Sequence, residues 1–342
     1  MKNATRLKFV AMVSQIALLN SIDPAVAMTA KFTAAPSVQQ KLMQRVQDSS
    51  EFLTKINISP VDEMYGELLG LGVGAPIASR TDTSGGTRRK GRDVSAMDNR
   101  TYTCVQTNFD VALRYAKLDM WAKFPDFETK WRDNNVKRQA LDRILIGFQG
   151  TSAAPTTDPD ATPTLSNVNK GWLQKMREEN AARVMTEGAD GAGKVTYGEG
   201  GHYATLDALV WDAKENLLAE WAKDDTELVV IVGSDLLHDK YFPMVNKDDA
   251  PTEQLARDII MSTKRLGGLP AVRVPGFPAG KVFITRLDNL SIYYQDGKQR
   301  RLLKDEPELD QVTDYQSSNE AYVIEDLDYA CMVENIEAAP QA

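Results

Sequence analysis

IASRTDTSGGTRRKGRDVSAMDN, residues 77–99, is the stretch on which the reading of this chain turns. Gly85 and Gly86 are followed by Arg88, Arg89, Lys90 and Arg92, and only Ile77, Val94 and Met97 could enter a core. Loops beyond about 12–15 residues with no structure of their own are usually functional or disordered. The flanks read as extended. A glycine-punctuated run, NISPVDEMYGELLGLGVGAPIAS, comes before it. NFDVALRYAKL comes after it, with Phe109, Val111, Leu113 and Tyr115 alternating in a strand pattern. The simplest reading is a long hairpin with a cationic tip. A two-stranded ribbon is marginal in water, so it needs a partner surface, in its own subunit or in another.

The rest of the composition makes that tip unusual. The chain has 342 residues, which allows about two domains. It is 42% hydrophobic and 26% charged, an ordinary globular balance. The formal charge is −8 and the pI about 5.1, so bulk charge argues against a nucleic-acid binder. Cys104 and Cys331 form no C-x-x-C pattern, which excludes a zinc ribbon and a dense disulfide framework and favours reduced thiols. No stretch approaches the roughly 20 apolar residues of a spanning helix.

The N-terminus supports two readings. Lys2, Arg6 and Lys8 precede FVAMVSQIALL, and AVA follows at 25–27, the three parts of a secretory signal. Ser14 and Gln15 interrupt that apolar run, and the same residues also read as an amphipathic helix with Thr5 as its cap and Leu7, Val10, Met12 or Val13, and Ile16 or Ala17 at helical spacing. On either reading, 1–30 looks separable from the fold.

Further along, periodicity predicts a helix over 37–56, with Ser37 as its cap, Val38, Leu42, Val46, Leu53 and Ile56 on one face, and glutamines that suggest a surface arm. The strongest helix signal runs from Pro125 to Gly150, with Phe127, Trp131, Leu141, Ile144, Leu145 and Phe148 as anchors. A Pro/Thr/Asp linker, a short helix at Trp172 and a glycine-rich break follow. From Ala204 to Leu287, helices alternate with strands, including ELVVIVG and KVFITRL and a helix over 251–268, as in a compact α/β lobe. The end is β-rich: LSIYYQDGKQRRLL reads as a hairpin turning at Asp296-Gly297, with further strands after it.

Catalytic signals are sparse. GLGVGA at 70–75 loosely matches a dinucleotide fingerprint, but Pro76 and the polar loop follow where a helix would have to start. His202 and His238 have no second ligand at metal spacing, and the common nucleophile, metalloprotease and phosphate-loop motifs are missing. RRKGR could bind nucleic acid, act as an import signal or simply be a solvated loop tip. No catalytic, cofactor-binding or metal-binding residue is assigned, and the chain does not read as an enzyme.

The order of several segments does carry a likeness. MKNATRLKF, KFTAAPSVQQKLM, SSEFLTKINISPV, IASRTDTSGGTRR, GWLQKMREENAARVM, YATLDALVWDA, LVVIVGSDLL, KYFPMVN, LPAVRVPGFPA, LDNLSIYY and YACMVE span nearly the whole length. With them the chain resembles the major capsid proteins of peduovirus-type tailed phages. The resemblance implies an α+β, Hong Kong 97-type fold. Residues 1–31 would be a cleaved assembly peptide, 32–60 an N-terminal arm and 61–108 an extended loop. Residues 109–203 would form a peripheral domain with a spine helix at 125–149, 204–287 an axial domain, and 288–342 the strands completing the peripheral domain. It implies cleavage at Ala30, Lys31 and Phe32, and inter-subunit contacts from Gly85, Gly86, Arg88, Arg89, Lys90 and Arg92. The implied partners are copies of the chain in hexamers and pentamers, a scaffold and maturation protease, a portal, and packaged double-stranded DNA bound without sequence specificity. No membrane or cofactor is implied. Some members of the wider fold join a loop lysine to a neighbour's asparagine. Lys90 and Asn335 are available, but no catalytic glutamate is assignable.

Overall fold

The structure is a computed structural model that describes residues 1–68, 78–91, 100–121, 123–124, 126–245 and 264–340. Its strands are β1 (Phe32–Thr33), β2 (Asn57–Val61), β3 (Tyr65–Glu67), β4 (Thr101–Thr103), β5 (Val105–Asn108), β6 (Val111–Arg114), β7 (Val184–Met185), β8 (Val195–Tyr197), β9 (Val229–Val232), β10 (Arg265–Leu266), β11 (Leu269–Val272), β12 (Val282–Thr285), β13 (Leu290–Gln295), β14 (Arg300–Glu306), β15 (Gln311–Ile324), β16 (Cys331–Val333) and β17 (Ile336–Ala338). The helices are α1 (Asn3–Leu19), α2 (Pro24–Thr29), α3 (Pro36–Asp48), α4 (Tyr115–Trp121), α5 (Phe127–Gln149), α6 (Trp172–Glu179), α7 (Leu206–Leu217) and α8 (Ser234–Val245).

β15 organises the larger sheet. Ser317 pairs with both Arg300 and Asn108, and Glu320 with both Tyr294 and Val105. β13 and β14 therefore lie end to end along one edge of β15, with β5 and β6 along the other. β1 extends the sheet beyond β14, and β2 runs parallel to β13. The hairpin expected at Asp296-Gly297 is thus a kink between two collinear strands. Gln39 holds it from α3: its amide donates to the Gln295 carbonyl at 2.9 Å and its oxygen accepts the Gly297 N–H at 2.9 Å. The actual reversal is at Pro307–Asp310, where Asp310 takes a left-handed φ of 51°.

The second sheet has the order β10-β11-β9-β12-β16-β7 among the described residues. β9, VVIV, is a near-continuous apolar run because both its faces are covered. α7 packs there through Leu206, Leu209, Val210 and Ala213, and the Thr205 hydroxyl caps it by accepting the Ala208 N–H at 3.2 Å. The strands of 288–342 divide between the layers: β13, β14 and β15 lie in the first sheet and β16 in the second.

α5 has 23 residues and spans roughly 34 Å at 1.5 Å per residue. Val136, Ala140, Ile144 and Phe148 recur four apart on its buried face and meet Trp172 and Tyr322. Leu141, Leu145 and Trp131, expected as anchors, are only half-buried, one step around the helix from that face. Pro125 lies outside the described residues. Gly147 sits under the Trp172 ring, which an added Cβ would approach to 2.3 Å.

Three local expectations give way to tertiary context. The alternation through Tyr115 ends at Arg114, and Tyr115 opens α4. Ser37 is not the cap of α3, because Pro36 starts the helix after Ala35, and the helix ends at Asp48, which leaves Leu53 in a separate turn, Leu53–Lys55, and Ile56 just after it. Most of the helix expected over 251–268 lies outside the described residues, but its last turn is strand: Leu266 pairs with Leu269 across Gly267-Gly268, both at positive φ.

Candidate assembly surfaces

The cationic loop is anchored at its base and unsupported at its tip. β3 and β4 pair antiparallel, with Tyr65 opposite Thr103. Gly66 is required there, since a Cβ would come within 2.6 Å of the Tyr102 ring. The Arg100 guanidinium fixes the return strand by donating to the Ile324 and Glu325 carbonyls at 2.8 and 2.6 Å. It also lies 3.7 Å from the Glu179 carboxylate.

Between these anchors, 78–91 contains no strand and one turn. The Gly86 N–H donates to Thr83, and Gly86 adopts φ +81°. Asp82 accepts the Ser84 hydroxyl and N–H, which holds its carboxyl below the usual range. Gly85, Gly86 and Gly91 have nothing within 4 Å of an added Cβ. Arg88, Arg89 and Lys90 are exposed and make no ion pair among the described residues. Arg92 and the GLGVGA segment lie outside those residues.

The N-terminal segment is docked, contrary to the expectation that it stands apart. Phe9, Val13 and Ala17 enter a cluster with Tyr115, Leu118, Leu303 and Val312. Thr5 is buried inside the first turn instead of capping the helix. Its hydroxyl, with the Lys2 N–H, bonds Asp119 and lowers that carboxyl's pKa. Arg6 reaches Asp305 at 3.6 Å, and Asp305 also accepts the Tyr115 hydroxyl. Four-residue spacing gives α1 an inward face that the sheet's end can bury. Beyond α2, Ala30 and Lys31 are exposed, Ala30 with extended backbone, and the buried Phe32 opens β1. Proteolysis needs exposed, extended backbone of this kind, and this is the point at which the chain leaves the docked segment.

The long helix is joined to β15 by polar groups that periodicity does not reveal. The Arg143 guanidinium meets Glu320 at 2.6 Å and covers the Phe109 ring at 4.3 Å. Ser318 also donates to Glu320. The signal available in the sequence was an arginine on the apolar face of a helix.

The remaining candidates have structural settings. His202 Nδ1 accepts the Thr196 N–H at 3.1 Å within the glycine-rich turn. Asn335 donates to the Thr186 and Gly193 carbonyls at 3.3 and 3.4 Å. Cys104 and Cys331 are free and buried; burial pushes the Cys104 thiol up to about 11 and that of Cys331 higher still. Among the described residues, no His/Cys/Asp/Glu cluster could hold a metal, and no helix is long and apolar enough to cross a membrane.

Comparison with known proteins agrees with this architecture. Residues 8–336 match the family model described as phage major capsid protein, P2 family. The capsid proteins of Escherichia phage P2 are 51% identical over 98% of this chain and 95% of theirs. The major capsid protein of Serratia phage KSP20 is 38% identical over 98% and 97%. A subunit in the satellite phage P4 procapsid, solved with its size determination protein, superposes with a TM-score of 0.83 at 48% identity, covering all of both chains. A subunit in the capsid of an empty GTA particle, 15% identical with a TM-score of 0.51, shares the fold alone. The fold is of the Hong Kong 97 type, and the family accounts for the whole chain where the secreted-protein reading rested on its first 27 residues. The chain belongs to the P2 family of phage major capsid proteins.

Proposed function

We propose that copies of this chain, as hexamers and pentamers, close an icosahedral head shell around double-stranded DNA, and that the cationic loop joins neighbouring subunits. Residues 61–108 act as the extended loop and 125–149 as the spine of a peripheral domain formed from 109–203 and 288–342. Residues 204–287 form an axial lobe whose sheet β16 and β7 complete. Residues 32–60 serve as an arm. Gly85 and Gly86 shape the tip, and Arg88, Arg89, Lys90 and Arg92 meet acidic groups of a neighbour. A maturation protease removes 1–31 within Ala30, Lys31 and Phe32, and a scaffold and a portal take part in assembly. The acidic chain encloses DNA without sequence-specific contacts.

The observation that carries this reading is a ribbon paired at its base, with exposed cations and no core at its tip, in a chain otherwise acidic. The test is electron microscopy of the full chain produced with and without its assembly proteins. Closed shells with those proteins are expected. A monomer under every condition, or export with cleavage after Ala27, contradicts the reading.

A further inference from the structure

Five of the twelve large apolar side chains exposed among the described residues lie within 1–31, so exposed apolar surface is concentrated in the docked segment. Three of the five share one face of α1. Leu7 is 72% exposed, Val10 43% and Leu18 79%. At 100° per residue they fall, with Ala11, within an arc of about 100°, and they run about 16 Å along the axis. The inward face of the same helix, at Thr5, Phe9, Val13 and Ala17, is buried. Ser14, between the outward residues, does not break the ridge: its hydroxyl is turned onto the Val10 carbonyl at 2.9 Å. α1 therefore carries a second apolar face beside its buried one, the two adjoining at Val10 and Ala17, and the chain itself uses one. Outward anchors at i, i+3 and i+11 form the kind of ridge that another helix covers.

Charge decides what fits. α1 carries Arg6 and Lys8 and no acidic residue; Arg6 already meets Asp305 of its own chain at 3.6 Å, so the segment's net positive charge is what a partner meets. Residues 1–31 hold four cations, Lys2, Arg6, Lys8 and Lys31, against Asp23. Two copies of α1 packed face to face would bring like charges together, which opposes pairing. An apolar helix with acidic flanks meets both the ridge and the charge.

We propose that the outer face of α1 docks an amphipathic helix of a different protein, with Asp and Glu beside its apolar ridge. The proposal rests on the shell-protein reading and on the removal of 1–31, which makes the docking temporary: the site leaves with the segment. The partner is engaged while the shell is immature and has no site on the processed subunit.

The test places a photoreactive benzoylphenylalanine at Leu7 or Leu18 of the full chain during head assembly with the complete set of head proteins. Both positions are outside the core, and an unchanged melting temperature checks that. The expected result is a cross-link in immature shells to one protein other than this chain, mapped by mass spectrometry to a helix with acidic flanks. Changing Lys2→Glu and Lys8→Glu should lower its yield severalfold, and reversing the captured helix's acids should restore it. Cross-links confined to another copy of this chain or to lipid, or none while shells form, overturn the proposal. Intact mass of the same particles reads processing separately. A retained 1–31 alongside the expected cross-link defeats the removal and leaves the docking; a lost 1–31 without any cross-link defeats the docking alone.

Discussion

The Arg143 guanidinium and the Glu320 carboxylate meet at 2.6 Å with 1% and 0% of their side chains exposed. The pair lies where the long helix crosses the long strand. Breaking such a pair leaves an uncompensated buried charge, at a cost of about 3–5 kcal/mol. Arg143→Met alone should therefore destabilise the subunit by about that much, as read by denaturant unfolding. Arg143→Met with Glu320→Leu should recover much of the loss, because the second change removes the stranded charge.

The face of the long helix is tested by neighbouring positions. Ile144 is fully buried against Trp172 and Tyr322, while Leu145 is half-buried. Ile144→Ala should cost about 2–5 kcal/mol, and Leu145→Ala clearly less. Equal losses in thermal or denaturant melts would place the core on a different face.

Those two residues also show what was legible. The helix was plain from its 3.6-residue pattern, and β9 and β12 from short apolar runs bounded by Gly and Pro. The face was misjudged because Leu141 and Leu145 are as apolar as Ile144. Only the position of Trp172, far along the chain, selects among them. Asp296-Gly297 carries a turn signal that is purely local, whereas the partner of both flanking strands, β15, is supplied later in the sequence. Arg143 drew no reading from the sequence, because its partner is 177 residues away. The described part of the loop, 78–91, is almost wholly exposed, as its polar composition leads one to expect. The helix of α1 was legible from its spacing, but its docking was not: Leu7 and Val10 are as apolar as Phe9 and Val13, and only the end of the sheet selects the face that is buried.

Glu306 provides a pH dependence. Hydrogen bonds from Thr313, then Gln311 and Tyr315, with Lys304 beside it, hold its carboxyl down to about 2. A carboxyl depressed by folding stabilises the fold fully above its unfolded value, ordinarily about 4.3. The contribution fades as pH falls toward 2. Thr313→Val should raise the Glu306 pKa, followed by carboxyl NMR, and weaken the acid-side stability of the β14–β15 turn. An unmoved titration would show that the hydroxyl does not hold the carboxylate.

Processing has a mass signature. Subunits from mature particles should begin near Phe32, and those from immature shells at Met1 or after its removal. Removal uncovers the apolar surface of Leu118, Leu303 and Val312 that α1 covers, so a hydrophobic dye should bind processed free subunits more strongly. Full-length chains in infectious particles would contradict the processing site.

Loop-mediated assembly is tested most directly by reversing the tip charges. Arg88→Glu, Arg89→Glu and Lys90→Glu together touch no core and no ion pair among the described residues. The subunit's circular-dichroism melt should be unchanged. Each exposed pair is worth only about 0.2–1 kcal/mol, but a closed shell repeats it at every equivalent position. The measurement is particle yield by sedimentation across salt concentrations, for wild type and the triple variant. The expected result is a folded variant that forms few or no shells, and wild-type shells whose yield falls as salt screens charges over roughly 8–10 Å. Normal yield of normal particles from the triple variant would contradict the account.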